Sequence, residues 1–414
     1  MTKNKPGYKH TALGLIPEDW EVKKINQFAK VTAGATPPTG ISKYWNGEIR
    51  WMNSGELNYK KVFEVNGRIS EEGLKSTSTK LLPSNCVLIG LAGQGKTRGT
   101  VAMNMVQLCT NQSIAAIIPN GKFWEEYLYH NLDSRYDELR NISTGEGGRG
   151  GLNLGLIGSL NIPLPPLPEQ KAIAELLSTW DRAIEKTQEL IKLKELRKKY
   201  LMQQLIKGKK RLKGFTGEWK KVSYCDLLKV VKRPVDWNEN EQYRLISVRR
   251  RSGGIFERES LFGHQILVKD LRTAVEGDFL FSKMQIVHGA SALVTKEFNG
   301  AKISGSYIAV VAKTTDLLNI EFFNWHSKLP YFYHQTYISS YGVHIEKMTF
   351  DFDNFTSLQM TIPKIDEQKA IATILQKAET EIELLKQKHE TLQLQKKGLM
   401  QILLTGKKRL KTVR

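Results

Sequence analysis

The sequence predicts an α+β protein: two globular α/β domains separated by two long helices, which pair as an antiparallel coiled coil in a pseudo-twofold, circular arrangement. Three observations predict it. They are an internal repeat, a 4-3-4-3 spacing of apolar residues in both copies of one segment, and short β-branched and aromatic runs broken by Gly, Asn and Ser in the stretches between.

Self-similarity sets the architecture, so the repeat comes first. Glu169-Gln170-Lys171-Ala172-Ile173-Ala174 recurs as Glu367-Gln368-Lys369-Ala370-Ile371-Ala372, 198 positions later. Gly208-Lys209-Lys210-Arg211-Leu212-Lys213 recurs as Gly406-Lys407-Lys408-Arg409-Leu410-Lys411 at the same offset of 198. Nothing has been inserted or deleted between the two landmarks, which is how a rigid helix behaves. Pro168 suits a first helical position, Asp366 an N-cap, and Gly208 and Gly406 the residue just past a helix end. Each helix then runs about 40 residues, or ~60 Å.

The apolar spacing supplies the pairing. In the first helix the seam is Ile173, Leu177, Trp180, Ile184, Thr187, Ile191, Lys194, Lys198, Leu201, Leu205. In the second it is Ile371, Leu375, Ala378, Ile382, Leu385, His389, Leu392, Lys396, Leu399, Leu403. A 3.5-residue period sustained over this length is a coiled-coil seam. Equal helices from two repeats pair most simply with each other, and antiparallel pairing fits a chain whose beginning resembles what should follow its last helix. The division is an N-terminal tail (1–14), a globular domain (15–164), the first long helix (165–213), a second globular domain (214–362), the second long helix (363–405) and a basic C-terminal tail (406–414). Weaker echoes, such as Trp20-Glu21-Val22-Lys23 against Trp219-Lys220-Lys221-Val222, mark the two globular domains as versions of one scaffold with variable loops.

The net charge of +20 over 414 residues points to a polyanionic partner, and nucleic acid is the commonest one. No apolar run approaches the ~18 residues of a membrane span, and MTKNKPGYKH has no apolar signal core. Cys86, Cys109 and Cys225 are unclustered, which suggests reduced thiols and a cytoplasmic location. The eight histidines show no metal-ligand spacing, so no metal site is expected.

Gly90-Leu-Ala-Gly-Gln-Gly-Lys-Thr97 matches the P-loop pattern. A working P-loop opens a helix whose amides face phosphate. Here the sequel, Arg98-Gly99-Thr100-Val101-Ala102-Met103, reads as loop and strand. The corresponding stretch of the second half, Phe279 to Gly289, lacks Gly-Lys-Thr, and no Walker-B partner is evident. The loop is better read as a set of donors for base edges and phosphates, with a P-loop ATPase and a non-catalytic coiled-coil scaffold as the alternatives.

The chain resembles the specificity (S) subunit of type I restriction–modification systems. The resemblance rests on Gly14-Leu-Ile-Pro-Glu-Asp-Trp-Glu-Val22, Ile49-Arg-Trp-Met-Asn-Ser-Gly-Glu-Leu57, Thr110-Asn-Gln-Ser-Ile114 and the doubled Pro-rich approach to Glu-Gln-Lys-Ala-Ile-Ala. The second domain departs from it, carrying Arg244-Leu-Ile-Ser-Val-Arg-Arg-Arg251 in place of the Trp-x-x-Ser-Gly-Glu-Leu string. The resemblance implies that each globular domain is a target-recognition domain for half of a bipartite site on double-stranded DNA. It implies that the helices set the spacing and dock two methyltransferase subunits, through which endonuclease/translocase subunits join. S-adenosylmethionine, ATP and Mg are then expected on those partners, with no catalysis and no cofactor in this chain.

Within that frame the DNA-contact candidates of the first half are Arg50, Asn53, Ser54, Gln94, Lys96, Thr97, Arg98 and Arg149. Those of the second are Arg249, Arg250, Arg251, Lys283, Gln285, His288, Tyr341 and His344, with packing as the competing use of Tyr341 and His344. The basic stretches 209–213 and 407–411 fit either the DNA backbone or a helix end. The seam set is Ile173, Leu177, Trp180, Ile184, Ile371, Leu375, Ile382 and Leu385, with partner docking left to other faces.

Overall fold

A computed structural model describes residues 6–93, 95, 97–142 and 151–410. They fall into two compact units: one joins the chain up to Gln188 to the chain from Gln387 onward, the other is Glu189–Lys386.

The first unit is built on a five-stranded sheet in the order Lys30–Ala33, Ile114–Ile118, Val87–Gly90, Val101–Asn104, Lys61–Val62. Neighbours are antiparallel except the last pair. Val87, Leu88 and Ile89 are all fully buried, because successive side chains point to opposite faces and both faces are covered. One face carries Val87, Ile89, Val101, Met103, Ala115 and Ile117 against the helix Glu125–Asp133 and the long helices. The other carries Leu88, Ala102, Ile114 and Ala116 against Met52, Leu57 and Val62. A second sheet pairs Trp45–Met52 with Cys109–Thr110 and Arg68–Ile69.

The second unit repeats the plan. Its main sheet runs Leu228–Val231, Tyr307–Ala312, Phe279–Ser282, Ser291–Leu293. Its second sheet runs Ile255–Phe262, Gln242–Val248, Lys302–Ser304, Leu271–Thr273. The core is richer in phenylalanine than the first, with Phe279, Phe281, Phe322, Phe323, Phe332 and Phe355 all buried. A parallel pair recurs in both second sheets: Trp51 pairs with Cys109 and Leu245 with Lys302.

The long helices are Leu167–Leu205 and Ile365–Leu403, 39 residues each. Asp366 lies in the first turn rather than at the N-cap, because the chain turns earlier: the Lys364 carbonyl already accepts from the amides of Glu367 and Gln368. The Glu-Gln pair at each start ties helix to domain. Buried Gln170 accepts from the Trp124 amide and donates to the Pro165 carbonyl; buried Gln368 accepts from the Asn319 amide and donates to the Pro363 carbonyl. Gly208 and Gly406 are left-handed at φ +64° and +68°, as a helix end requires.

None of the ten seam residues of either helix is exposed. Within the first unit, the start of the first helix meets the end of the second: Ile173 and Leu177 share a core with Met400 and Leu403, and Asp181 pairs with Lys396. Within the second unit, the end of the first helix meets the start of the second, with Lys194 on Glu381, Lys198 on Glu379 and Glu195 on Lys386. Residue numbers rise along one helix as they fall along the other, so the pairing is antiparallel in both units. The seam set has a double role. Ile173, Leu177, Ile371 and Leu375 also pack into the domain cores; Ile382 is buried, and Trp180, Ile184 and Leu385 are half-buried. Among the described residues no helix is long and apolar enough to cross a membrane.

Candidate nucleic-acid interface

The P-loop-like string joins two antiparallel strands, Val87–Gly90 and Val101–Asn104. The Gly90 amide donates to the Thr100 carbonyl and the Gly99 amide to the Gly90 carbonyl, each at 2.9 Å, which closes a hairpin. A Cβ on Gly90 would lie 2.2 Å from the Thr97 carbonyl oxygen. These glycines therefore serve the turn, and the second strand stands where a phosphate-binding helix would have to begin. Thr97 and Arg98 are half-buried at this loop, and Arg140 of the neighbouring helix Tyr136–Ile142 donates to the Gly95 carbonyl at 2.7 Å. Gln94, Lys96 and Arg149 lie outside the described residues.

Asn53 follows the strand Trp45–Met52 and caps a short 3-10 turn, Ser54–Tyr59. Its Oδ1 accepts from the Gly55 amide at 2.8 Å, while Glu56 accepts from the Asn53 amide at 2.9 Å. Ser54 is the first, half-buried residue of that turn, and Leu57 packs beside Gly90, so turn and hairpin loop are neighbours. Arg50 sits apart on the strand and pairs with Glu64 at 3.1 Å. Glu64 also holds Arg68, and its carboxyl is drawn down to about 2 by the bond from Arg50, then by the Val65 amide and Arg68.

In the second unit the candidates converge. Three segments meet: the turn 249–254 after Gln242–Val248, the loop 283–289 after Phe279–Ser282, and a small hairpin whose strands are Ser340–Tyr341 and Thr349–Phe350. Arg250 donates from Nε to Gln285 at 2.7 Å and from Nη2 to Glu346 at 2.8 Å. His288 Nε2 lies 3.2 Å from the other oxygen of Glu346. Arg251 and Ser252 hold left-handed φ values of +58° and +52°, unusual for side-chain-bearing residues. Their amides donate to the carbonyls of His288 and Gly289, which fixes the turn. Arg249 lies over the Phe256 ring at 4.4 Å. Lys283 donates to the Gly305 carbonyl at 2.9 Å, and its own carbonyl accepts from Phe350, joining loop to hairpin. Tyr341 and His344 are exposed, so the packing alternative does not apply to either. Sequence reasoning missed Glu346 and Glu64, because a search for cations passes over the carboxylates that hold them.

One arginine in each basic stretch after the helices has definite partners. Arg409 binds Glu169 and Asp19, and Glu169 also accepts from the Trp20 indole at 3.1 Å. Arg211 binds Glu367 at 2.6 Å. Glu169 and Glu367 are both buried. Arg211 and Arg409, which are 198 apart, thus fasten the equivalent carboxylates at the start of the opposite helix.

A duplicated α/β domain, each copy joined to a long helix and presenting basic loops at one strand end, defines a binding architecture of two matched modules. The type I restriction modification DNA specificity domain matches the chain twice, at residues 17–195 and 217–394. The MjaIX specificity subunit of a type I restriction enzyme from Methanocaldococcus jannaschii is 34% identical over 183 residues, 43% of this chain and 41% of that protein, so this match spans less than half of either. The MjaVIII specificity subunit of the same organism is 22% identical over 426 residues, covering 96% of this chain and 95% of the relative. The crystal structure of a type I restriction–modification S subunit from M. genitalium shares the fold, with a TM-score of 0.58 at 12% identity over 93% of this chain and 96% of that one. The chain belongs to the type I restriction–modification DNA specificity family and carries its domain in two copies.

Proposed function

We propose that this chain is the non-catalytic, sequence-specific DNA-recognition subunit of a type I restriction–modification complex. Each globular domain reads one half of a bipartite double-stranded site, and the paired helices set the gap and dock two methyltransferase subunits. Endonuclease/translocase subunits join through these, and S-adenosylmethionine, ATP and magnesium act on the partner subunits. The assembly works in the cytoplasm. The observation that carries the reading is the duplication itself. Both units share the order of four strands in the main sheet and one tie between helix and domain, yet their loops differ, as two readers of different half-sites require. Lysines and arginines neutralise phosphates, and loop side chains discriminate bases in the major groove.

Methylome sequencing of a host carrying this chain with its methyltransferase tests the proposal. A bipartite methylated motif is expected. Replacing residues 15–164 with the equivalent domain of a relative is expected to change one half of the motif and leave the other intact; a motif altered in both halves, or no motif, would count against it. The ATPase alternative has the hairpin against it: no measurable ATP affinity is expected in the full chain, and none that Lys96→Ala removes.

A further inference from the structure

Val343 is 97% exposed at the tip of the second unit's small hairpin, with Tyr341 63% and Ile345 50% exposed beside it. Single exposed apolar residues are ordinary, but a contiguous apolar tip rimmed by charge marks a binding surface. The stem beneath it is firm. Ser340 and Tyr341 pair with Phe350 and Thr349, Met348 and Phe350 are buried, and Phe350 stacks on Phe281 with ring centres 5.6 Å apart. Gly342 turns at φ +143°, and a Cβ there would lie 3.1 Å from the Met348 Cα, so the tip doubles back closely on its own return strand. Glu346, three residues past Val343, is bound by Arg250 and lies 3.2 Å from His288 Nε2. Lys283 and Lys347 add further positive charge at the same loops.

We propose that this tip is an apolar reading group, and that Val343 packs on the C5-methyl of a thymine in the major groove of the half-site bound by the second unit. The inference rests on the chain's being a DNA-recognition subunit. The positive rim commits the tip to a polyanion, and thymine is the one base of the four that presents a methyl group in the major groove. An isopropyl group among cations therefore recognises what the hydrogen-bonding side chains around it do not. Tyr341 and Ile345 flank the contact and keep water from it.

The test uses the full-length chain and a duplex carrying its motif. Each thymine of the second half is replaced in turn by 2′-deoxyuridine, which removes only the methyl group. At one position wild-type affinity is expected to fall about fourfold, the value of one buried methyl-sized group. V343S is expected to lose the same factor on the thymine duplex and to be indifferent to uridine at that position. Because Val343 is fully exposed, its replacement leaves the fold unchanged, and thermal melting verifies this. Motif-specific binding that tolerates uridine at every position overturns the inference alone, as does V343S binding like wild type. V343S that keeps its DNA affinity but loses co-purification with the methyltransferase overturns it in favour of a protein contact. Wild-type chain that binds the motif and a scrambled duplex alike overturns the functional reading, and the inference with it.

Discussion

At the scale of single residues, Arg250 is held from two sides, since Gln285 and Glu346 both bind its guanidinium. A side chain held this way loses little freedom when it meets a base. Arg250→Ala is expected to weaken binding by about 1–3 kcal/mol and to relax preference at one base pair of one half-site only. Binding assays against single-base variants of both halves would check it. Buried His326 is constrained differently. The Tyr224 hydroxyl donates to Gln335 at 2.7 Å, so the contact between that hydroxyl and His326 Nε2 at 3.2 Å requires the histidine to donate. The neutral Nε2–H form satisfies this, while buried Nδ1 has no hydrogen-bond partner to receive a second proton. Burial accordingly pushes the imidazole down to about 4. The unfolded chain takes up its proton near 6.5, so the stabilisation is complete above that pH and is lost as pH falls from 6.5 toward 4. Denaturant unfolding monitored by tryptophan fluorescence is expected to show a loss of roughly 3 kcal/mol over that window, largely absent in His326→Gln.

At the scale of elements, the long helices keep lysines in the middle of an apolar seam. Lys198 and Lys396 are 198 apart, and so are their partners Glu379 and Asp181, so one ion pair is built twice. Lys396 is largely buried, and removing its charge strands Asp181 beside fully buried His130, itself kept neutral by burial and by Lys396 and Lys61. Lys396→Ala is expected to destabilise the first unit by about 2 kcal/mol, and Lys396→Met with Asp181→Leu to recover most of it, as double-mutant unfolding would measure. The seam and its length were legible in the sequence, because helix periodicity is local and survives without knowledge of the partner, and the antiparallel sense was legible in the repeat. The Glu-Gln pair was visible as a motif, but its use was not: Arg211 finds Glu367 across 156 residues and Arg409 finds Glu169 across 240, and no spacing rule reaches that far. Asn53 is the reverse case. Asn followed three positions later by Glu56 is the pattern of a helix cap, and the structure uses it as one. The cluster of Arg250, Gln285, His288 and Glu346 was half legible, since its basic and amide members stood out while the acid that organises them did not.

At the scale of the whole molecule, a charge of +20 makes affinity for DNA a matter of counterion release. Binding through six to ten phosphates is expected to weaken about 10³–10⁵-fold between 50 and 200 mM salt, and titration at several ionic strengths would give the slope. The ruler role proposed for the helices has its own signature. Adding one heptad to each helix keeps the seam in register and lengthens it by ~10 Å, about three base pairs of duplex. A methylated motif with unchanged halves and a spacer longer by about three base pairs is the expected result.

The division of the chain into units also has a temporal consequence. Glu189–Lys386 is a single uninterrupted stretch, whereas the other unit needs residues from Gln387 onward, including Met400, Leu403 and Arg409, to close over its core. On the ribosome the unit built on the chain up to Gln188 must therefore wait for residues 387–410, while Glu189–Lys386 can mature ahead of it. Loss of residues 387–410 would damage the unit built on the chain up to Gln188 and leave Glu189–Lys386 its own core.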